Sequence, residues 1–189
     1  MLNPTTISSA LLQKSSERNI SVSNLKLQKL AYYCQGYYLA ATGEPMFIDR
    51  IEAWDHGPVV PSLYHTYKIY GSAYITGGSY QPVDLGSLPK MVLDIIDFVL
   101  DKWGNKGAWF LRNQTHQEAP WREHYNEETE QVDGAEISHD QMRNFFIKQI
   151  SEIQDTQLST VLDSVDSTFI SLPDDISTEE EFYKWIQAQ

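Results

Sequence analysis

Asp55 and His56 are the first residues here that could do chemistry, lodged in the stretch AWDHGPVVPSLY (Ala53 to Tyr64). A carboxylate beside an imidazole suggests general acid–base work. As immediate sequence neighbours, however, the Asp is poorly placed to orient the His ring as a triad does. The one cysteine, Cys34, falls on the apolar stripe of a predicted helix, which favours a small buried hydrophobe over a nucleophile. A Cys34/His56 pair assembled across the fold is the remaining nucleophilic alternative. The five histidines, His56, His65, His116, His124 and His139, include no pair at i, i+3 or i+4, and there is no C-x-x-C. A metal would need a ligand set gathered wholly by the fold. There is no G-x-S-x-G elbow, P-loop or G-x-G-x-x-G. The residues therefore point to no enzyme, no cofactor and no metal.

The same stretch has a structural use. It follows an extended run, Met46 to Trp54, and His56-Gly57-Pro58 reads as a turn. Val60 precedes Pro61 and is biased away from helix, while Pro61 suits the first turn of the next one. Pro58-Val59-Val60-Pro61 also matches a minimal PxxP ligand, but such ligands need an accessible polyproline segment. This one is flanked by a Trp and a helix.

The elements around it are mostly helical. Asn3 and Pro4 open a first helix, with Ile7, Ala10, Leu11 and Lys14 at helical spacing. Ser23 caps a second, NLKLQKLAYYCQGYYLAAT, in which Leu27, Leu30, Ala31, Cys34, Tyr38 and Ala41 form the apolar stripe, and Gly43 ends it. Gly36 inside that helix implies close approach of another backbone. Lys26 and Lys29 fall on its polar side. Pro61 to Tyr70 is helical, with Gly71 as a stop. Ser87 caps a helix with Val92, Ile95, Ile96, Val99 and Trp103 on one face. KGAWFLRNQT gives one or two further turns. Ser138-x-x-Gln141 is a capping box for a helix turning Met142, Phe145, Phe146, Ile150 and Ile153 inward. The expected fold is mainly α with a small β element (α+β): a single compact helical domain plus a C-terminal helical extension.

Charge marks the boundary between the two. The chain of 189 residues carries a net charge of −12. Residues 151–189 contribute nine acids and one lysine, a net of −8. Residues 1–150 form the expected domain and 151–189 an acidic extension of two short helices, the second opened by Ser177-x-x-Glu180 and carrying Trp185 on its apolar face. The acidic balance argues against nucleic acid as partner, because that affinity comes largely from neutralising phosphates. No apolar run approaches a membrane span. The N-terminus lacks a basic leader, and a single cysteine fits a reducing cytoplasm.

The segment Ser23 to Gly71 resembles the Panacea domain of SocA-like antitoxins, also described as a phage-associated GepA-like domain. The resemblance rests on the Leu-Lys-Leu-Gln-Lys-Leu helix with its Tyr-Tyr pair, then Gly-Glu-Pro, Glu-Ala-Trp and Gly-Pro-Val-Val-Pro. It continues in Thr115-His116 and Pro120-Trp121 and covers about residues 5 to 150. It implies an antitoxin of a toxin–antitoxin system, in a setting of phage defence. The cognate protein toxin is expected from a neighbouring gene and is neutralised by direct protein–protein interaction. The alternative implied is a proteolytic adaptor that hands the toxin to a protease. A small hydrolase or transferase using His56 or His116 and a DNA-binding autoregulator are the competing readings. With 11 Tyr and 5 Trp the chain is rich in residues that dominate interface hot spots. The expected toxin-binding residues are Lys26, Lys29, Trp54, His56, Pro58, Tyr64 and Trp185.

Overall fold

The computed structural model describes residues 1–152. The expectations for Ile153, for the acidic extension and for Trp185 lie outside the described residues.

Helix α1 (Pro4–Glu17) starts as its sequence dictates, with Asn3 accepting from the Thr5 N–H at 2.9 Å and Pro4 at the first position. Helix α2 (Asn24–Thr42) is capped by the Ser23 hydroxyl and closed by Gly43 at φ 74°, whose N–H reaches Leu39 O at 2.8 Å. Around α2 pack α3 (Pro61–Tyr67), α4 (Lys90–Trp103), α5 (Ala108–Thr115) and α7 (His139–Glu152). Three short strands, β1 (Ile51–Trp54), β2 (Gly57–Val59) and β5 (Glu136–Ile137), make an antiparallel sheet in the order β2-β1-β5. A four-residue helix α6 (Ala119–Arg122) leads into a two-stranded hairpin, β3 (Tyr125–Asn126) and β4 (Gln131–Val132). The fold is mainly helical with a small β element, as expected. Among the described residues no helix is long and apolar enough to cross a membrane.

The central helix departs from the expected amphipathic pattern. Fifteen of its 19 residues are buried, so it has no polar side turned to solvent. Lys26 and Lys29, expected on such a side, are buried: Lys29 is 0% exposed and Lys26 7%. A helix enclosed by neighbours must satisfy each inward polar group, because an unpaired one costs stability. Here the long polar side chains of α2 bond the backbones of the loops that surround it. Lys26 Nζ donates to Gly104 O at 2.6 Å and Ser21 O at 3.1 Å. Gln35 accepts from the N–H groups of Met46 and Phe47 and donates to Phe47 O at 3.1 Å.

Two local expectations are corrected. The close neighbour of Gly36 is not a backbone but the ring of Phe146 on α7, which occupies the place a Cβ would take. Ser87 does not cap α4. It lies in a 3-10 turn (Leu85–Ser87), and the helix begins only after Pro89, since Leu88 before that proline is pushed off the helical region. The capping box of α7 is complete. Ser138 N–H donates to Gln141 Oε1 at 2.8 Å, and Gln141 N–H to Ser138 Oγ at 3.2 Å.

Candidate functional site

The AWDHGPVVPSLY corner is a β-hairpin. Trp54 pairs with Gly57, leaving Asp55 and His56 as its two-residue turn. The expected turn at His56-Gly57-Pro58 thus begins one residue earlier, at Asp55, and Gly57-Pro58-Val59 is itself a strand. Pro58 is tolerated because β2 is an edge strand. It is buried, which removes both the PxxP reading and a place for Pro58 on the surface.

Buried side chains hold the hairpin from below. Lys29 Nζ donates to Pro58 O at 2.8 Å, and Gln28 Oε1 accepts from Val60 N–H at 3.0 Å. Trp121 Nε1 donates to Trp54 O at 2.9 Å, and Arg112 reaches Asp55 O at 3.3 Å. Gly57 sits at φ 93° over Lys29 Nζ and Thr115 Oγ1. Burial and the nearby Arg112 guanidinium hold the Lys29 ammonium well below the usual lysine range.

Above this clamp the surface carries rings. Trp54 meets Tyr64 edge-on at 5.0 Å, and His56 meets Trp109 at 5.6 Å. Trp109 and Tyr74 are 61% and 62% exposed. A cleft of about 530 Å³ runs between Leu25, Trp54, His56 and Tyr64. It shares Leu25 and Gly71 with a second, of about 660 Å³, that includes Tyr74 and Trp109. On the other side of the turn a third cleft, of about 470 Å³, lies over Arg112, His116 and Trp121. It shares Asp55, His56 and Val132 with the first.

These features assemble no catalytic constellation. Cys34 is fully buried, and burial pushes its thiol far above the usual range. His56 is exposed at the turn, and its ring meets Trp109. Among the described residues no three His, Cys, Asp or Glu side chains are grouped to hold a metal ion.

Residues 27–122 match the family described as "Antitoxin SocA-like, Panacea domain". The chain belongs to this family. Antitoxin SocA from Caulobacter vibrioides is 39% identical over 69 residues, which is 36% of this chain and 37% of that protein. The chain thus matches just over a third of that relative's length. No solved structure matches. Within the chain, the matched span of the Panacea domain holds the whole clamp: Gln28, Lys29, the hairpin, Arg112, Thr115, His116 and Trp121. Helix α7 and strand β5 lie beyond it, yet they supply the Phe146 ring under Gly36 and the far edge of the sheet.

Sequence reasoning missed Trp109, Arg112 and Glu118. The sequence marks the first two only as part of a short helical stretch. The Thr-His and Pro-Trp pairs around Glu118 pointed to the region without distinguishing the carboxylate between them. Glu118 is buried against Tyr33, whose hydroxyl donates to it at 2.9 Å. Burial raises its carboxyl to about 7, against the opposing pull of Tyr33, Tyr32, Gln114 and Lys102. Two residues away, burial and the charges of Arg112, Lys29 and His56 lower His116 to about 4.

The two shifts act on stability with opposite signs. The folded chain holds the Glu118 proton more tightly than the unfolded chain. That contribution is full below about pH 4.5 and is lost as pH rises through about 7. His116 binds its proton more weakly when folded, so its contribution is lost as pH falls from about 6.5 towards 4. Glu118→Gln removes the first trend and keeps an acceptor for Tyr33. Relative to the parent, the variant should gain about 2–3 kcal/mol between about pH 5 and about pH 8. Denaturant midpoints across that range test this, and parallel curves for the two proteins would refute it.

Proposed function

We propose that this chain is an antitoxin that neutralises a cognate protein toxin by direct contact, through the aromatic face around the β1–β2 turn. Family membership and the likeness to antitoxin SocA support the role. The observation that carries the location is the ring set of two edge-on pairs, half-buried Trp54 with Tyr64 and exposed His56 with Trp109, together with exposed Tyr74. It is spread along two joined clefts and mounted on a hairpin clamped from the core. A large exposed apolar patch on a well-ordered support is what a binding face requires, and rigid rings lose little freedom on association. Lys26, Lys29 and Pro58 drop out of this face because they are buried. Their part is to hold it in shape.

The toxin sought is the product of a neighbouring gene. Trp109→Ala combined with Tyr64→Ala should weaken the complex by ~1–3 kcal/mol and reduce rescue of growth on co-expression. A folded double variant with full affinity and full rescue would place the binding face elsewhere.

A further inference from the structure

We propose that the cleft between the β1–β2 turn, α5 and the β3–β4 hairpin binds one oxyanion, a carboxylate or phosphate group, on the Arg112 guanidinium and the His116 Nε2 atom. The proposal is independent of the toxin reading. It starts from how the arginines are partnered. Arg18, Arg50 and Arg122 each meet a carboxylate, at Asp97 and Asp101, Glu52 and Glu127 respectively. Arg112 is less exposed than Arg122, yet its contacts are to neutral oxygens: Asp55 O at 3.3 Å and Asn113 Oδ1 at 3.1 Å. Its Nε is buried and has no hydrogen-bond partner among the described residues. The same holds for His116 Nε2. Both residues line the 470 Å³ cleft, a size that admits a small acid or the end of an acidic side chain.

Charge and rigidity favour the same ligand. His56 and Arg122 join Arg112 and His116 on the cleft wall. Burial first, and then the charges of Arg112, Lys29 and His56, hold His116 below the usual histidine range. The His116 ring lies flat on Trp121 with centroids 3.5 Å apart, and Tyr125 stacks on Trp121 at 5.3 Å. The donors are therefore fixed before any ligand arrives. A buried guanidinium Nε without a partner, beside a ring nitrogen that also lacks one, is a pair of groups that a carboxylate or a phosphate could satisfy. Three acids also border the cleft. Asp55 engages Arg112 through its backbone carbonyl, Glu127 is taken by Arg122, and Glu130 is exposed at the hairpin turn.

The test uses the full chain, with inorganic phosphate and acetate as probes and the His116 ring resonances as readout. Either probe should shift those resonances saturably and raise the His116 titration point by about one unit. Arg112→Gln should abolish the saturable response, and Arg112→Lys should keep part of it. A His116 signal that ignores both probes, or that responds equally in Arg112→Gln, overturns the proposal. The unchanged resonances of His139 in each variant verify that it is folded. With the toxin complex in hand, phosphate that competes for binding identifies a partner carboxylate as the natural source. Saturable phosphate binding without competition identifies a free small anion.

Discussion

Phe146→Ala should lower the stability of the domain by ~3–5 kcal/mol, in the range of large aromatic truncations from a core. The ring is fully buried and stands edge-on to Tyr37 at 4.8 Å, Tyr32 at 5.4 Å and Tyr33 at 6.1 Å, with Phe145 at 5.1 Å on its own helix. It also fills the space left by the missing side chain of Gly36. That fit joins α7 to α2, so the loss is a cavity at the main helix–helix seam. Gly36→Ala attacks the seam from the other side, since its Cβ would overlap the ring, and should cost ~1–3 kcal/mol as overpacking does. The two changes should not add. Once the ring is gone the new methyl has room, and alanine is also the better helix former. In the Phe146→Ala background, Gly36→Ala should therefore be neutral or stabilising. Denaturant midpoints of the four proteins make the cycle. Strict additivity would mean that the ring and the glycine are not coupled.

The glycine and the phenylalanine show what the sequence could and could not reveal. Each was legible alone: Gly36 as a costly residue inside a helix that needs a close neighbour, Phe146 as an inward position on a capped helix. Their pairing was not, because 110 positions separate them and local spacing carries no information about which distant element arrives. The helix ends that rest on local chemistry, at Asn3, Ser23, Gly43 and Ser138, stood where their residues placed them. The polar residues of α2 misled for a physical reason. Periodicity sorts side chains by hydropathy, and a lysine that bonds a strand backbone from inside a core has the same letter as one in water. The candidate site was half visible in the same way. The corner stood out by composition, and its rings Trp54 and Tyr64 do lie together. Trp109 and Arg112 reach it from α5, and only the fold brings them there.

Gly57→Ala should be the other severe substitution, costing ~2–5 kcal/mol through two separable causes. The first is conformational. Gly57 sits at φ 93°, a backbone region that L residues adopt only with strain, of the order of 1–2 kcal/mol. The second is steric. A Cβ there would lie 2.7 Å from Thr115 Oγ1 and 2.8 Å from Lys29 Nζ, and neither is a free surface group. Thr115 is buried and donates to Arg112 O at 2.9 Å; Lys29 is buried and donates to Pro58 O. Shifting Lys29 would break the bond that ties β2 to α2 and leave a buried carbonyl unpaired. Thr115→Ala in the Gly57→Ala background should recover the part of the steric cost that Oγ1 causes and leave the Lys29 overlap and the conformational part. The functional consequence follows from the clamp. The turn bearing Asp55 and His56 should loosen, and the His56–Trp109 contact on the proposed binding face should be lost with it. In conditions where the variant remains folded, toxin affinity should fall although no contact residue has changed. Full stability in Gly57→Ala would show that the hairpin does not depend on its seat over Lys29. Lost stability with unchanged affinity would separate the clamp from the binding face.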